Sequence, residues 1–340
     1  MRLVSIQNPD SRWDEFVSGY PHLIFHTSIW AQILKNGYNT ELVYYVLEDN
    51  GEWLLAIPGM LVGNRFFRVF YSLIPYGGFI GKKELIPDFL RLLEIKAQQE
   101  KIDRIKIIDL EIKKREELSD FKCMESCRHI LELKEKSLDQ IWKGYKSNLK
   151  RTIKEALGSD LYFERIKDRK EVDHFYELYL ASMKRNQALA KYPIDLFYKI
   201  FDLLIPDSAE IFFVKYRNEP IAGIVVIYSE DSAYYFHGGS HTEYLHLRPN
   251  DLLFHNAIKI AKEKGKSYFD FLGSERRLSS LIQFKDKWGT KRETLLVLEK
   301  DIGTIRPFLG KIALRLAQTS LGSAIQRRLQ STPKGTLHEN

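Results

Sequence analysis

The chain has 340 residues, 44% hydrophobic and 29% charged, enough for a sizeable core and about two domains. Its formal net charge of +7 points to an anionic partner, whether phosphate, RNA or a membrane surface. No apolar run approaches the ~20 residues that span a bilayer, the first ten residues do not read as a secretory signal, and Cys123 and Cys127 have no second pair to complete a zinc site, so a soluble protein of a reducing, cytoplasmic compartment is expected.

Residues 13–20 read as a short helix. His22 and His26 follow at a spacing that would suit a metal on a helix, but Pro21 precedes them and no third ligand follows. Thr27-Ser28 is an N-cap for a helix through Trp30, Ile33 and Leu34, ended by Gly37. Residues 42–47 and 53–62 are strand-like and joined by the turn Asp49-Asn50-Gly51. A strand over 66–73 runs into Pro75-Tyr76-Gly77-Gly78. An amphipathic helix over 87–100 and a strand over 104–110 follow.

A basic amphipathic helix is expected over 137–156. Leu138, Ile141, Trp142, Tyr145, Leu149, Ile153 and Ala156 form its apolar stripe, and Lys143, Lys146, Lys150 and Lys154 line another face. The order of elements then repeats: a helix over 173–184, strands over 209–216, 220–228 and 233–239, a helix over 249–264, and a strand over 268–272. Gly78 to Asp109 and Gly239 to Asp270 span the same 31 positions, which reads as an internal duplication. The fold class is therefore α/β (α+β), with one lobe over 1–136, a second over 137–300, and a basic amphipathic helical tail over 301–340. That tail either packs on the body or makes a peripheral membrane contact through 305–329.

The stretch from Ser267 to Gly289 holds the least ordinary placements. Asp270 interrupts an aromatic strand, Arg276 and Arg277 follow, and Lys285 sits between Phe284 and Trp288. Buried charges need partners, and ionisable groups in clefts are candidates for function. The plain alternative is an Asp paired at a strand end and a Lys snorkelling past aromatics.

Several motifs together resemble the FemABX-type peptidoglycan-bridge aminoacyltransferases and the related BioF2-like acyltransferases with tandem acetyltransferase (GNAT-like) lobes. They are Tyr76-Gly77-Gly78, Ser147-Asn148-Leu149-Lys150-Arg151, Phe236-His237-Gly238-Gly239-Ser240, Arg248-Pro249-Asn250, Asp270-Phe271 with Gly273, and Phe284-Lys285 through Trp288-Gly289. The resemblance implies a two-lobed transferase with a cleft between its lobes. It implies no tightly bound cofactor, a donor that is an aminoacyl-tRNA or an acyl-thioester, and an amine acceptor, which can be lipid-linked. It associates Lys285 with the transferring end of the donor.

Lys285, His237 and Asp270 are thus the catalytic candidates. Lys285 would stabilise the oxyanion, His237 or Tyr235 would relay a proton, and Asp270 would orient a cation or accept a proton. Tyr76, Ser147, Lys150, Arg151, Arg185, Tyr235, Arg248, Asn250 and Trp288 are the candidates for binding substrate. One departure stands out: Leu247 to Leu252 lacks the glycine-rich turn that cradles a pyrophosphate at a helix N-terminus, and Asp251 has the wrong sign there. Three readings stay open: aminoacyl or acyl transfer to an amine of a cell-envelope precursor, thioester-dependent N-acylation in lipid, polysaccharide or small-molecule synthesis, and a silent RNA- or membrane-binding module.

Overall fold

The structure, a computed structural model, describes residues 1–8, 11–64, 67–112, 118, 120–275 and 278–303. The first half runs β1 (Arg2–Ile6), α1 (Ser11–Ser18), α2 (Ser28–Tyr38), β2 (Glu41–Asp49), β3 (Glu52–Asn64), β4 (Phe67–Ser72), the short β5 (Ile80–Gly81), α3 (Ile86–Gln99) and β6 (Arg104–Asp109). A strand, β7 (Lys122–Glu132), and two helices, α4 (Leu138–Gly144) and α5 (Ser147–Leu157), lead into the second half. There β8 (Leu161–Arg165), α6 (Glu171–Arg185), α7 (Ile194–Leu204), β9 (Ala209–Tyr216), β10 (Glu219–Tyr228), β11 (Ser232–Ser240), α8 (Pro249–Glu263), β12 (Tyr268–Glu275), α9 (Ser279–Asp286) and β13 (Lys291–Asp301) follow.

Local chemistry explains many of these boundaries. The Thr27 side chain caps α2 by accepting from the Trp30 amide. Asn50 and Gly51 both take positive φ (50° and 86°), which lets the chain reverse tightly between β2 and β3. The single helix expected over 137–156 is two helices. Tyr145 is extended (ψ 145°) between α4 and α5, where Gly289, at φ +74°, comes so close that a Cβ on it would lie 2.7 Å from the Gly144 carbonyl oxygen.

All the strands join one mixed sheet in the order β1-β2-β3-β4-β6-β13-β7-β12-β11-β10-β9-β8, with β5 on β3. Two pairs within it are parallel, one per half: β4 with β6 and β11 with β12. Each parallel pairing is short, Val69–Tyr71 against Arg104–Lys106 and Ser232–Tyr234 against Tyr268–Asp270, and the strands then part. The halves also exchange strands. β7 pairs with β12 of the second half, and β13 returns to pair with β6 of the first. The lobe boundary expected at 136–137 is therefore crossed on both sides by sheet hydrogen bonds.

One apolar core is shared. Trp13, Phe25 and Trp30, from the α1–α2 region, pack with Tyr179 of α6, Phe197 of α7 and Tyr234 of β11 on one face of the sheet. Burying each large side chain contributes about 1.5–3 kcal/mol, which holds the halves together. On the opposite face, α3 covers the first half, while α4, α5 and α8 cover the second around Trp288, Phe254 and Phe271. No helix among the described residues is long and apolar enough to cross a membrane. The basic helices expected over 305–329, and Arg276 and Arg277, lie outside the described residues.

Candidate functional site

Where β11 and β12 part, β12 bulges. Its register against β7 shifts between Asp270 and Gly273, and Leu272 takes φ +60°. A bulge leaves a carbonyl without its ladder partner. Here Lys285 of α9 supplies one: its Nζ donates to the Leu272 carbonyl (2.9 Å) and to Ser274 Oγ (2.7 Å). Lys285 is only 2% exposed, and burial lowers its pKa to about 8 against the pull of Asp270. Asp270 is fully buried. Its Oδ2 accepts from Arg128 Nε and Nη2, both at 2.7 Å, and its Oδ1 accepts the Leu272 amide at 2.7 Å. Burial pushes its carboxyl upward while Arg128 opposes the shift.

A second cluster forms at the far end of β11. Arg185 donates to the Ser240 carbonyl (2.7 Å) and to Ser182 Oγ (2.9 Å), and Asn250 Nδ2 donates to Ser240 Oγ (3.2 Å). Arg248 precedes α8 in the left-handed region (φ 61°) with an exposed side chain. His237 lies edge-on to Tyr179 (4.6 Å) and Tyr192 (5.2 Å), and burial lowers its pKa to about 4. Its Nδ1 lies 2.8 Å from the Gly238 amide nitrogen and 3.1 Å from the Gly238 carbonyl oxygen, so the backbone of Gly238 holds this edge of the ring in either tautomer. Tyr235 points to the other face of the sheet, edge-on to Phe254 (4.7 Å), with its hydroxyl pushed up to about 12 by burial.

The helix bearing Ser147, Lys150 and Arg151 docks on α8 through buried Leu149, Ile153 and Ala156. Ser147 is exposed at its start, Lys150 Nζ donates to the Lys143 carbonyl (2.9 Å), and Arg151 pairs with Glu155 (2.8 Å). Thr152 Oγ1 and Lys287 Nζ, each at 2.6 Å, both donate to the carboxylate of Asp251 in the first turn of α8. Two expectations change here. The cation flanked by aromatics is Lys287, 4.5 Å from the Phe284 ring and 5.8 Å from that of Trp288, because Lys285 turns inward to the bulge. Trp288 is fully buried against Tyr145, Phe254 and Phe271, so it is a core residue and not a substrate contact.

Tyr76 lies in a third place, a cavity of about 530 Å³ between the halves, with His26, Arg128 and Tyr234. The Arg128 guanidinium stands 5.4 Å from the Tyr76 ring centroid. Arg128 and Ser274 are the residues that sequence reading passed over, and His26 was met there only as half of a metal-like spacing. The available signal was the demand of Asp270 for a cationic partner.

Residues 143–285 match the family model of the acetyltransferase (GNAT) domain. Among solved structures, FemX is 19% identical, covers 91% of this chain and 99% of its own, and superposes with a TM-score of 0.67. A tandem GNAT protein from the clavulanic acid biosynthesis pathway is 9% identical, with 89% and 100% covered and a TM-score of 0.58. The C-terminal domain of a putative lysylphosphatidylglycerol synthetase from Agrobacterium fabrum is 12% identical, with 86% and 92% covered and a TM-score of 0.57. A search of curated proteins finds no match. At these identities the likeness is one of fold. The parallel pair in each half, the exchange of strands and the matched segment agree: this is a two-lobed chain of the FemX and tandem-GNAT fold, and the segment that matches the GNAT domain model lies in its second half.

Proposed function

We propose that the protein is an acyl- or aminoacyltransferase that moves an activated acyl group onto an amine, in the synthesis of a cell-envelope precursor. The observation that carries this reading is the buried Lys285 ammonium at the point where β11 and β12 separate. Attack of a neutral amine on an activated carbonyl builds charge on the carbonyl oxygen, and preorganised donors in a dry site stabilise it. An ammonium has three N–H donors. Leu272 and Ser274 take two, and the third serves the oxyanion. Asp270 and Arg128 hold the bulge in shape as positioning residues. His237 contributes an aromatic wall beside Tyr179 and Tyr192. Arg185 and Asn250 converge on Ser240 at the far end of β11, and exposed Arg248 stands just before α8, so these three are the proposed contacts to the donor.

An aminoacyl-tRNA donor is the reading the surface favours. Lys143, Lys146, Arg151 and Lys154 are exposed on α4, α5 and the link between them. An acyl-CoA donor would use the N-terminus of α8 for its pyrophosphate, but Asp251 already places a carboxylate in that turn, fixed by Thr152 and Lys287. A lipid-linked acceptor and peripheral residence at the inner membrane face belong to the same proposal.

The test is binding of charged and uncharged tRNA beside acyl-CoA thioesters, at two salt concentrations. Tight binding of charged tRNA that weakens as salt rises is the expected result. A preference for a thioester assigns the protein to general N-acylation. Binding of neither class overturns the transferase reading.

A further inference from the structure

The two cysteines lie four positions apart on β7, both partly exposed, and their surroundings differ. Cys123 meets the Phe121 carbonyl at 3.7 Å. Cys127 meets a histidine: its Sγ lies 3.9 Å from each ring nitrogen of His129. Two apart on one strand, Cys127 and His129 share the face of β7 that α9 covers.

His129 is fully buried, and its Nε2 lies 3.3 Å from Asp286 Oδ1 of α9. Arg292 of β13 braces the same carboxylate, with Nε at 2.8 Å, and holds it ionised by lowering its pKa. An ionised carboxylate only accepts, so Nε2 carries the proton of the neutral ring and Nδ1 keeps its lone pair. Burial, with the charge of Lys285 beside it, lowers the His129 pKa and keeps the ring neutral near pH 7. Thiol, imidazole and carboxylate therefore stand as a nucleophile, its base and the group that orients the base.

Charge and access point the same way. Lys285 and Arg292 each sense a thiolate at Cys127, and a cation stabilised by a thiolate favours that thiolate in return. A cavity of about 390 Å³ opens on the sulfur, between Ile282 of α9 and Arg292 and Thr294 of β13. That volume falls within the range of small-molecule sites, about 300–1,000 Å³. Its one carboxylate, Glu293, is paired with Arg128 at 3.4 Å. No group of three His, Cys, Asp or Glu side chains among the described residues is arranged to hold a metal ion.

We propose that Cys127 is a thiol-modification site that exchanges with low-molecular-weight disulfides, with His129 as its base and Asp286 as the residue that positions the base. His129 Nδ1 takes the thiol proton, and the Cys127 thiolate attacks one sulfur of the disulfide. That S–S bond breaks as the mixed disulfide forms, and the departing thiolate takes up the proton. The adduct stands beside the transfer centre: Ser274 is the cross-strand neighbour of Cys127, and its Oγ accepts from Lys285. The site stands on β7, α9 and β13 and does not require acyl transfer; only an effect on turnover rests on the transferase reading.

The full-length variants Cys123→Ser and Cys127→Ser each keep one thiol. Each is mixed with excess 2-hydroxyethyl disulfide at pH 7, and the mixed disulfide is followed by intact mass. An ordinary thiol is only slightly ionised at that pH, so Cys127 should react about tenfold faster than Cys123. His129→Gln, in the chain that keeps Cys127, should remove most of that advantage. Asp286→Asn leaves the imidazole in place and should remove part of it, which serves if His129→Gln fails to fold. With a transferase assay in hand, the adduct should lower turnover and dithiothreitol should restore it. The exchange rates are read without substrate, so failure of the transferase reading leaves them unaffected. Equal rates at the two cysteines overturn the proposal, as does a fast Cys127 that keeps its rate in every variant that folds.

Discussion

In the first half, the strand leaving the parallel pair stops at Asp109, whose carboxylate accepts the amides of Phe79 (2.8 Å), Glu111 (2.7 Å) and Ile112 (2.9 Å). In the second half the matching strand runs past Asp270 into a bulge, held by Arg128 on one side and Lys285 on the other. One carboxylate is consumed by backbone. The other is held by a side-chain charge, with a second cation nearby. The two halves share an order of elements, closed by amides on a carboxylate in one and by a side-chain ion pair in the other, and the second is the half whose residues 143–285 match the GNAT domain model.

Asp270→Asn is the substitution with the largest expected effect. It keeps the shape and removes the charge opposite Arg128, which is only 14% exposed, so the loss should be about 3–5 kcal/mol in urea unfolding. The same change at Asp109 leaves an acceptor oxygen for the amides and should cost about 1–3 kcal/mol. Equal losses would show that the two halves are not built differently.

Lys285→Ala comes next. Losing one oxyanion donor should cut turnover by about 10²–10³. Stability should fall by less, about 1–3 kcal/mol, as the Leu272 carbonyl is orphaned. Turnover in the unaltered protein should decline as pH rises through about 8, where the ammonium loses its proton. A rate that climbs through that pH would make Lys285 a base.

A smaller effect distinguishes the halves by pH. Burial lowers His26 of the first half to about 3 and His237 of the second to about 4, from 6.5. With both folded values depressed, the unfolded chain binds more protons below pH 6.5. Stability is then full above 6.5 and is lost as pH falls toward 4, at about 1.4 kcal/mol per pH unit per histidine. His26→Gln should remove the first-half share of that slope and leave the share of His237. An unchanged slope in urea midpoints between pH 7 and 5 would assign the acid sensitivity elsewhere.

The repeated order of elements was legible because β2, β3, β9 and β10 are apolar runs bounded by turn residues, and α3 and α8 are amphipathic. The equal Gly–Asp intervals were not what they looked like. Register places Lys106, and not Asp109, where Asp270 stands: Tyr71 pairs with Lys106 and Tyr234 with Asp270. Gly78 is small because it lies against Asp109, Gly239 because it lies against the backbone of Leu178. β7 and β13 escaped notice because their polar side chains, among them Arg128, Glu132, Lys291 and Glu293, face a cavity rather than plain solvent and blur the alternation. With β7 unseen, Arg128 had no place beside Asp270, 142 positions away. Asp270 and Lys285 stood out in sequence because a charge inside an apolar run is costly wherever it falls.

Lys287 provides the finest discrimination, since two positions separate it from Lys285 in the same motif. Its ammonium reaches Asp251 and rests over Phe284, on the α8 side of the sheet, and is 20% exposed. Lys287→Met keeps the stem and removes the charge. Asp251 retains its bond from Thr152 and its place in the first turn of α8, where the helix dipole favours a carboxylate. The cost should therefore be modest, about 1–2 kcal/mol for a partly exposed ion pair and its ring contact, with turnover retained. Lys285→Met, equally conservative in shape, should abolish most turnover. Should the two variants exchange their effects, the working cation would sit over the aromatics as the sequence implied, and the bulge would be scaffolding that happens to be charged.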